Sequence, residues 1–274
     1  MESVGAMKEV SCSIDEGSQE SRLHPPPFHH ASYQLRQLAT ALRHVAQTFA
    51  DGGSLLDYGC GSMPYKPVFA ERVDEYHGAD LATNDCADFP LSSTGTLPLQ
   101  SARFEIVLST QVLEHVEDPT LYLAEAQRVL KEDGVIILST HGSWHYHPTP
   151  RDYWRWTSTG LRKIIEDAGF KVVFFQGIMG DAATATQLWQ DALLVRLPRW
   201  MGFGFKFVMQ KVVALQDRLI SQESKDTSAC VYVVVARKLP LGEGDIPAGN
   251  GAISALGLHP SQANGQSPNP ARTR

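Results

Sequence analysis

"LLDYGCGSM", Leu55 to Met63, reads as a buried strand that breaks into a glycine turn, with one acid, Asp57, just ahead of the break. A strand entering such a turn opens many α/β sheets, whose ligands lie beyond the carboxyl ends of the central strands. The flanking sequence extends the pattern. Upstream, "YQLRQLATALRHVAQTF" repeats Leu35, Leu38, Leu42, Val45 and Phe49 at helical spacing until Gly52 and Gly53 stop it. Downstream, "EYHGADL", "FEIVLST" and "VIILST" read as strands and 64–74 as a loop or poor helix. "DPTLYLAEAQRVLKEDG" predicts a helix capped by Asp118, opened by Pro119 and ended by Asp133 and Gly134. "TSTGLRKIIEDAG" predicts another, capped by Thr157 or Ser158 with Gly169 past its end. "FKVVFF" and, after a long interruption, "CVYVVVAR" (230–237) supply two more strands. Strands alternating with helices mean a layered α/β sheet.

The chain has 274 residues, 43% of them hydrophobic and 20% charged, which suits one large domain with tails. Residues 1–27, ending in "HPPP", and 239–274, rich in Gly, Pro, Ser and Asn, lack hydrophobic periodicity and are expected to be disordered, leaving 28–238 as the domain. A net charge of −6 argues against broad attraction to nucleic acid, and no nucleic-acid partner is expected. Cys12, Cys60, Cys86 and Cys230 show no CxxC spacing, so neither a zinc site nor a disulfide scaffold is suggested. Reduced thiols and an acidic N-terminus without an apolar core point to the cytoplasm. A helical insertion at about 181–225 precedes the last strand, and Arg196, Arg199, Lys206 and Lys211 interrupt its apolar runs, so it is not expected to span a membrane. It either caps the site, buries a dimer face, or lies on a membrane surface through 188–220.

Most glycine turns of this kind hold phosphate, but the two phosphate readings fail here. A dinucleotide fingerprint needs a third glycine, where this chain has Pro64; a P-loop needs Lys followed by Ser or Thr, where Lys66 is followed by Pro67. That disfavours a nicotinamide enzyme. The carboxylate of Asp57 repels phosphate and suits a cation, and S-adenosylmethionine carries both an ammonium and a sulfonium. Asp80, within "GADL" at the end of the second strand, is placed to accept hydrogen bonds from ribose hydroxyls. Cys60, between the glycines, reads as a small buried filler.

With "LLDYGCG", "LSTQVLEHV" and "VLKEDG" in order, the sequence resembles the class I S-adenosylmethionine-dependent methyltransferases, in particular the bacterial small-molecule group, over roughly 50–176. The resemblance implies a Rossmann-like, doubly wound sheet of seven strands with the last antiparallel. It places Asp57, Gly59 and Gly61 beside the methionine part of the cofactor, Asp80 at the ribose, Leu81 at the adenine face and Gln111 beneath the methionine end. The family often has an acid ahead of its "LPF" element to meet the adenine amine. This chain has Thr94 and Gly95 there, and Asp88, upstream, is the expected substitute.

Methyl transfer from a sulfonium mainly requires alignment and exclusion of water, with a base only where the acceptor holds a proton. The expected acceptor wall is "HGSWHYHPTPRDYWRWT", 141–157, a long aromatic loop after the fifth strand. His141 is the expected base, assisted by His145 and Asp152, with His147, Tyr153 and Trp154 as acceptor contacts. The plainer alternative is that these aromatics seal the sheet edge. His145, His147 and Asp152 are metal-ligand types, but the Pro-rich geometry between them need not converge and no metal site is expected. His115, expected in the helix after the fourth strand, reads as a packing or orienting residue rather than a base. The expected reaction is methylation of a small-molecule or lipid-linked acceptor at oxygen. The alternatives are nitrogen or carbon as the target and a non-catalytic cofactor-binding regulatory domain.

Overall fold

The computed structural model describes residues 22–92, 95–147 and 151–240. Most of both expected tails, together with Thr94 and Pro148 to Pro150 of the aromatic loop, lie outside the described residues.

One sheet organises the domain. Its strands are β1 (Ser54–Tyr58), β2 (Glu75–Leu81), β3 (Phe89–Leu91), β4 (Phe104–Thr110), β5 (Leu130–His141), β6 (Phe170–Gly180) and β7 (Ala229–Lys238). Their order is β3-β2-β1-β4-β5-β7-β6, parallel through β5, with β7 antiparallel to both β5 and β6. This is the expected Rossmann-like arrangement. The helices are α1 (Ser32–Phe49), α2 (Lys66–Phe69), α3 (Pro119–Val129), α4 (Ser158–Asp167), α5 (Asp181–Leu194), α6 (Arg199–Arg218) and α7 (Gln222–Thr227).

Both faces of the sheet are covered, which is why its strands read as near-continuous apolar runs. Leu55, Ile106, Ile137 and Val233 pack with Leu38, Leu42 and Val45 of α1 on one side. Their neighbours Leu56, Val107, Ile136 and Val234 pack with Leu123 of α3 and Leu161 and Ile165 of α4 on the other. Asp118 caps α3 by accepting hydrogen bonds from the Thr120 and Leu121 amides, and Thr157 caps α4 through Gly160.

Five details depart from the sequence reading. The seventh strand is Phe89–Leu91, too short for a periodic signal, and its Pro90 is tolerated because β3 is an edge. The helix before β5 ends at Val129, not at Asp133 and Gly134. Phe104 pairs with Leu130 and Ile106 with Val135, so Lys131 to Gly134 form an excursion in the strand, with Asp133 at φ 63°. His115 lies in a 3-10 turn, Leu113–His115, ahead of α3. Leu23, assigned to the loose N-terminal tail, is buried in the core with α1, so ordered packing reaches back beyond residue 28.

The helices between β6 and β7 are held by directional polar contacts. The buried amide of Gln210 donates to Gln187 Oε1 (2.7 Å) and Gln190 Oε1 (3.0 Å), while its oxygen accepts from the Tyr33 amide (2.8 Å). Asp217, also buried, accepts from Tyr33 Oη (2.7 Å), the Gly180 amide (2.9 Å) and Lys225 Nζ (2.8 Å). Fully paired buried networks of this kind fix one arrangement of the elements they join.

Candidate active site

The turn after β1 is shaped by backbone that few side chains tolerate. Gly59 has φ 80°, and a Cβ there would stand 2.7 Å from Val112. Gly61 has φ 51°, and a Cβ there would meet nothing within 4 Å among the described residues, so its backbone faces open space. Opposite, Gln111 at the end of β4 adopts φ 56°, held by its amide on Ser139 O (2.8 Å). Left-handed backbone at a non-glycine residue is a strain that clusters at functional sites.

Asp80 anchors this turn from β2. Its carboxylate accepts from the Gly61 amide (2.7 Å), Asn84 Nδ2 (2.8 Å) and the Leu81 amide (2.7 Å). A carboxylate has about four acceptor positions, so capacity remains for a hydroxyl. Cys60 is buried, and burial pushes its thiol well above its ordinary range, as a filler requires.

A cavity of about 1550 Å³ opens beyond the strand ends. Its lining takes Gly59, Gly61, Asp80 and Leu81 from the β1–β2 side of the sheet, Gln111 and His115 from the segment after β4, and His141, Trp144 and His147 from the β5 side. The lining also includes His29, His30 and Gln34, from just before and within α1, which the sequence reading did not place at the site. Only the tertiary path brings that segment over the sheet; the doubled histidine after "HPPP" carries no local signal for it.

Two expected cofactor residues are not in the lining. Asp57 is buried in β1, with Oδ2 accepting from Tyr76 Oη at 2.5 Å and Oδ1 finding no hydrogen bond among the described residues. Burial pushes its carboxyl up to about 7, against the Tyr76 hydroxyl, which lowers it. Asp88 bonds the Gly78 amide at 2.8 Å and so fixes the segment between β2 and β3.

The aromatic loop divides similarly. His141, the last residue of β5, is 5% exposed and stacks on Trp144 with the ring planes 4° apart. Its Nε2 lies 3.7 Å from Glu114 Oε1, and its Nδ1 has no hydrogen-bond partner among the described residues. Burial, then His147 and Arg155, hold its pKa well below the ordinary value. Asp152 does not reach the cavity: it grips Arg155 through both oxygens (2.6 and 2.5 Å) and accepts from the His147 amide (2.8 Å). Although burial opposes ionisation, those bonds hold its carboxyl at about 2. His145 lies 4.0 Å from Asp191 and outside the lining. Tyr153 and Trp154 donate their amides to Glu114 O, and Trp154 Nε1 donates to Val116 O, so they brace the turn after β4. That turn carries Glu114, fully buried and absent from the sequence reading, whose Oε2 accepts from Thr140 Oγ1 (2.8 Å).

Comparison with known proteins places this geometry. The methyltransferase-domain family matches residues 28–173, more than half of the chain. Over 103 residues the chain is 32% identical to a ubiquinone biosynthesis O-methyltransferase of Cereibacter sphaeroides, an alignment covering 33% of this chain and 42% of that one. Over 175 residues it is 26% identical to a probable S-adenosylmethionine-dependent methyltransferase of Mycolicibacterium smegmatis, covering 58% and 68%. The chain thus spans about two fifths of the length of the ubiquinone-pathway relatives it matches. Among solved structures, a chain in the complex between the Haloferax volcanii Trm112 methyltransferase activator and a methyltransferase is similar in fold, with a TM-score of 0.50, 15% identity, and 84% of this chain and 100% of that one covered.

Proposed function

The chain belongs to the methyltransferase-domain family, and from that premise we propose that it transfers a methyl group from S-adenosylmethionine to a hydroxyl of a small-molecule or lipid-linked acceptor. The observation that carries the reading is the cavity, which joins the Gly59–Gly61 turn and Asp80 to the histidine cluster around His141 in one space. The residues fit the cofactor: Gly61 presents bare backbone to open space, and Asp80 retains acceptor capacity. When bound, S-adenosylmethionine supplies a methyl group that passes to an acceptor lone pair as the carbon–sulfur bond breaks and sulfur keeps the electrons.

The protein's part is alignment and proton removal. Trp144 and the β5 backbone fix the His141 ring, and that imidazole takes the acceptor's proton. Oxygen as the target suits a neutral imidazole on the β5 side of the cavity, and the relatives named for O-methylation support it. Calorimetric titration tests the cofactor: S-adenosylmethionine binds, nicotinamide dinucleotides do not, and Asp80→Ala weakens binding by about 1.5–3 kcal/mol. Unchanged affinity in a folded Asp80→Ala variant removes Asp80 from the ribose.

The lipid-linked form of the acceptor draws support from α6. Trp200, Phe203, Phe207, Val208 and Leu215 of that helix, and Leu219 just past its end, are exposed, with Trp200 80% and Leu219 80% accessible. Lys211 lies over the Phe207 ring, its ammonium 5.4 Å from the centroid, as a cation does at a lipid headgroup boundary. No described helix is long and apolar enough to cross a membrane, so the contact is peripheral. In flotation with anionic phospholipid vesicles, the wild type co-floats and a Trp200→Ser, Phe203→Ser double variant stays behind; equal flotation of both rejects the surface.

A further inference from the structure

We propose that Glu114, His115 and His147 bind one divalent transition-metal ion of the zinc class, the two histidines standing in the cavity lining and Glu114 buried outside it. Each of the three side chains offers a ligand atom, and these atoms all lie within 4.8 Å of one another. Their convergence follows from the sheet. β4 and β5 are parallel neighbours, paired through Thr110 and Ser139, so the turn carrying Glu114 and His115 emerges beside the loop carrying His147.

The second nitrogen of each imidazole is already engaged. His115 Nδ1 bonds to the Arg151 carbonyl, and His147 Nδ1 stands 3.3 Å from Asp152 Oδ2. Arg155 Nη2 also approaches His147 Nδ1, at 3.4 Å, but its charge is matched by the Asp152 carboxylate it grips. A carbonyl or carboxylate behind one ring nitrogen orients the other as a metal ligand. The carboxylate partner has the same readiness: Glu114 is fully buried, and its Oε1 has no hydrogen bond among the described residues. A buried carboxylate oxygen without a hydrogen bond is costly, and a cation would compensate it.

Two imidazoles and one carboxylate suit zinc-class ions rather than magnesium or calcium, and three protein ligands leave a coordination position open. Resting on the methyl-transfer reading, the open position takes the acceptor hydroxyl. Its oxygen gives one lone pair to the metal, releases its proton to His141 and keeps another pair for the incoming methyl; the metal's oxidation state does not change. His141 is placed for this, its ring centroid 5.0 Å from that of His147.

The test uses Co²⁺ with the full chain, first stripped by a chelator, and reads the visible absorption that Co²⁺ acquires in a low-symmetry N/O site. One saturating equivalent is expected, with affinity at least about ten-fold weaker in both His147→Ala and Glu114→Gln. S-adenosylhomocysteine binding serves as the fold check on each variant. Absence of saturable Co²⁺ binding, or equal binding by folded variants, overturns the site. Full-rate methylation by the stripped enzyme overturns the metal's role and leaves methyl transfer standing. Saturable Co²⁺ binding by a chain that cannot bind S-adenosylhomocysteine supports the metal site and defeats the methyl-transfer reading.

Discussion

Replacing His141 with alanine lowers acceptor turnover by about 10²-fold or more and leaves S-adenosylmethionine affinity within about two-fold, because lost general-base catalysis has that size. The separation follows from the two sides of the cavity. His141 and Trp144 line it from the β5 side and Gly59, Gly61 and Asp80 from the β1–β2 side, and His141 contacts none of those three in the hydrogen bonds described. Trp144→Ala gives the contrasting signature, a raised apparent acceptor constant, because it removes the ring on which His141 stacks and part of the acceptor wall. Trp154→Ala is milder on both counts, since Trp154 lies outside the lining and is 39% exposed. Steady-state kinetics with calorimetry on each variant decide the matter. If His141→Ala is nearly as fast as the wild type and only Trp144→Ala costs rate, the protein works by alignment and the base assignment fails.

Asp217→Ala is expected to cost about 3–5 kcal/mol of unfolding free energy, the range for removing one member of a buried charge pair. The substitution strands three donors at once: the Lys225 ammonium, with its side chain 14% exposed, the Gly180 amide and the Tyr33 hydroxyl. These lie on α7, at the end of β6 and on α1, so the loss loosens the joint between the inserted helices and the segment that walls the cavity. Asp217→Asn keeps two acceptor positions on its side-chain oxygen and should lose less. Urea unfolding followed by circular dichroism measures both, and a loss below about 1 kcal/mol in Asp217→Ala would show that water replaces the network at little cost.

The sheet was largely legible because its strands and turns are local patterns. Gly59, Gly61 and Asp80 line the cavity, as their position predicts, since the end of a parallel strand in this architecture is where ligands lie. β3 escaped because three residues with a central proline carry no period. The excursion at Lys131 to Gly134 escaped because Asp and Gly signal a helix end and a strand irregularity equally well. At the site, residue type predicted less than the path of the chain. Asp57 has the right charge, but its carboxylate turns into the sheet toward Tyr76. Asp152 is a plausible proton acceptor by type, yet Arg155, three residues along the same loop, occupies both its oxygens. Glu114 sat unread inside an apolar stretch, where only the neighbouring strand's Thr140 reveals that its carboxylate is buried.

The position of β7 has a consequence for synthesis on the ribosome. It is the last strand among the described residues yet lies between β5 and β6, with His141 paired to Val231 and the Gly142 amide donating to Cys230 O. A nascent chain that has already emitted β5 and β6 must hold a gap between them until β7 emerges. Until then, the Val135–Leu138 run of β5 presents an unpaired edge, the kind that joins other chains. The backbone on the β5 side of the cavity is therefore among the last parts of the protein to be fixed. A release factor or protease acting before residue 229 leaves a product whose glycine turn is complete but whose His141 has no neighbouring strand to hold it.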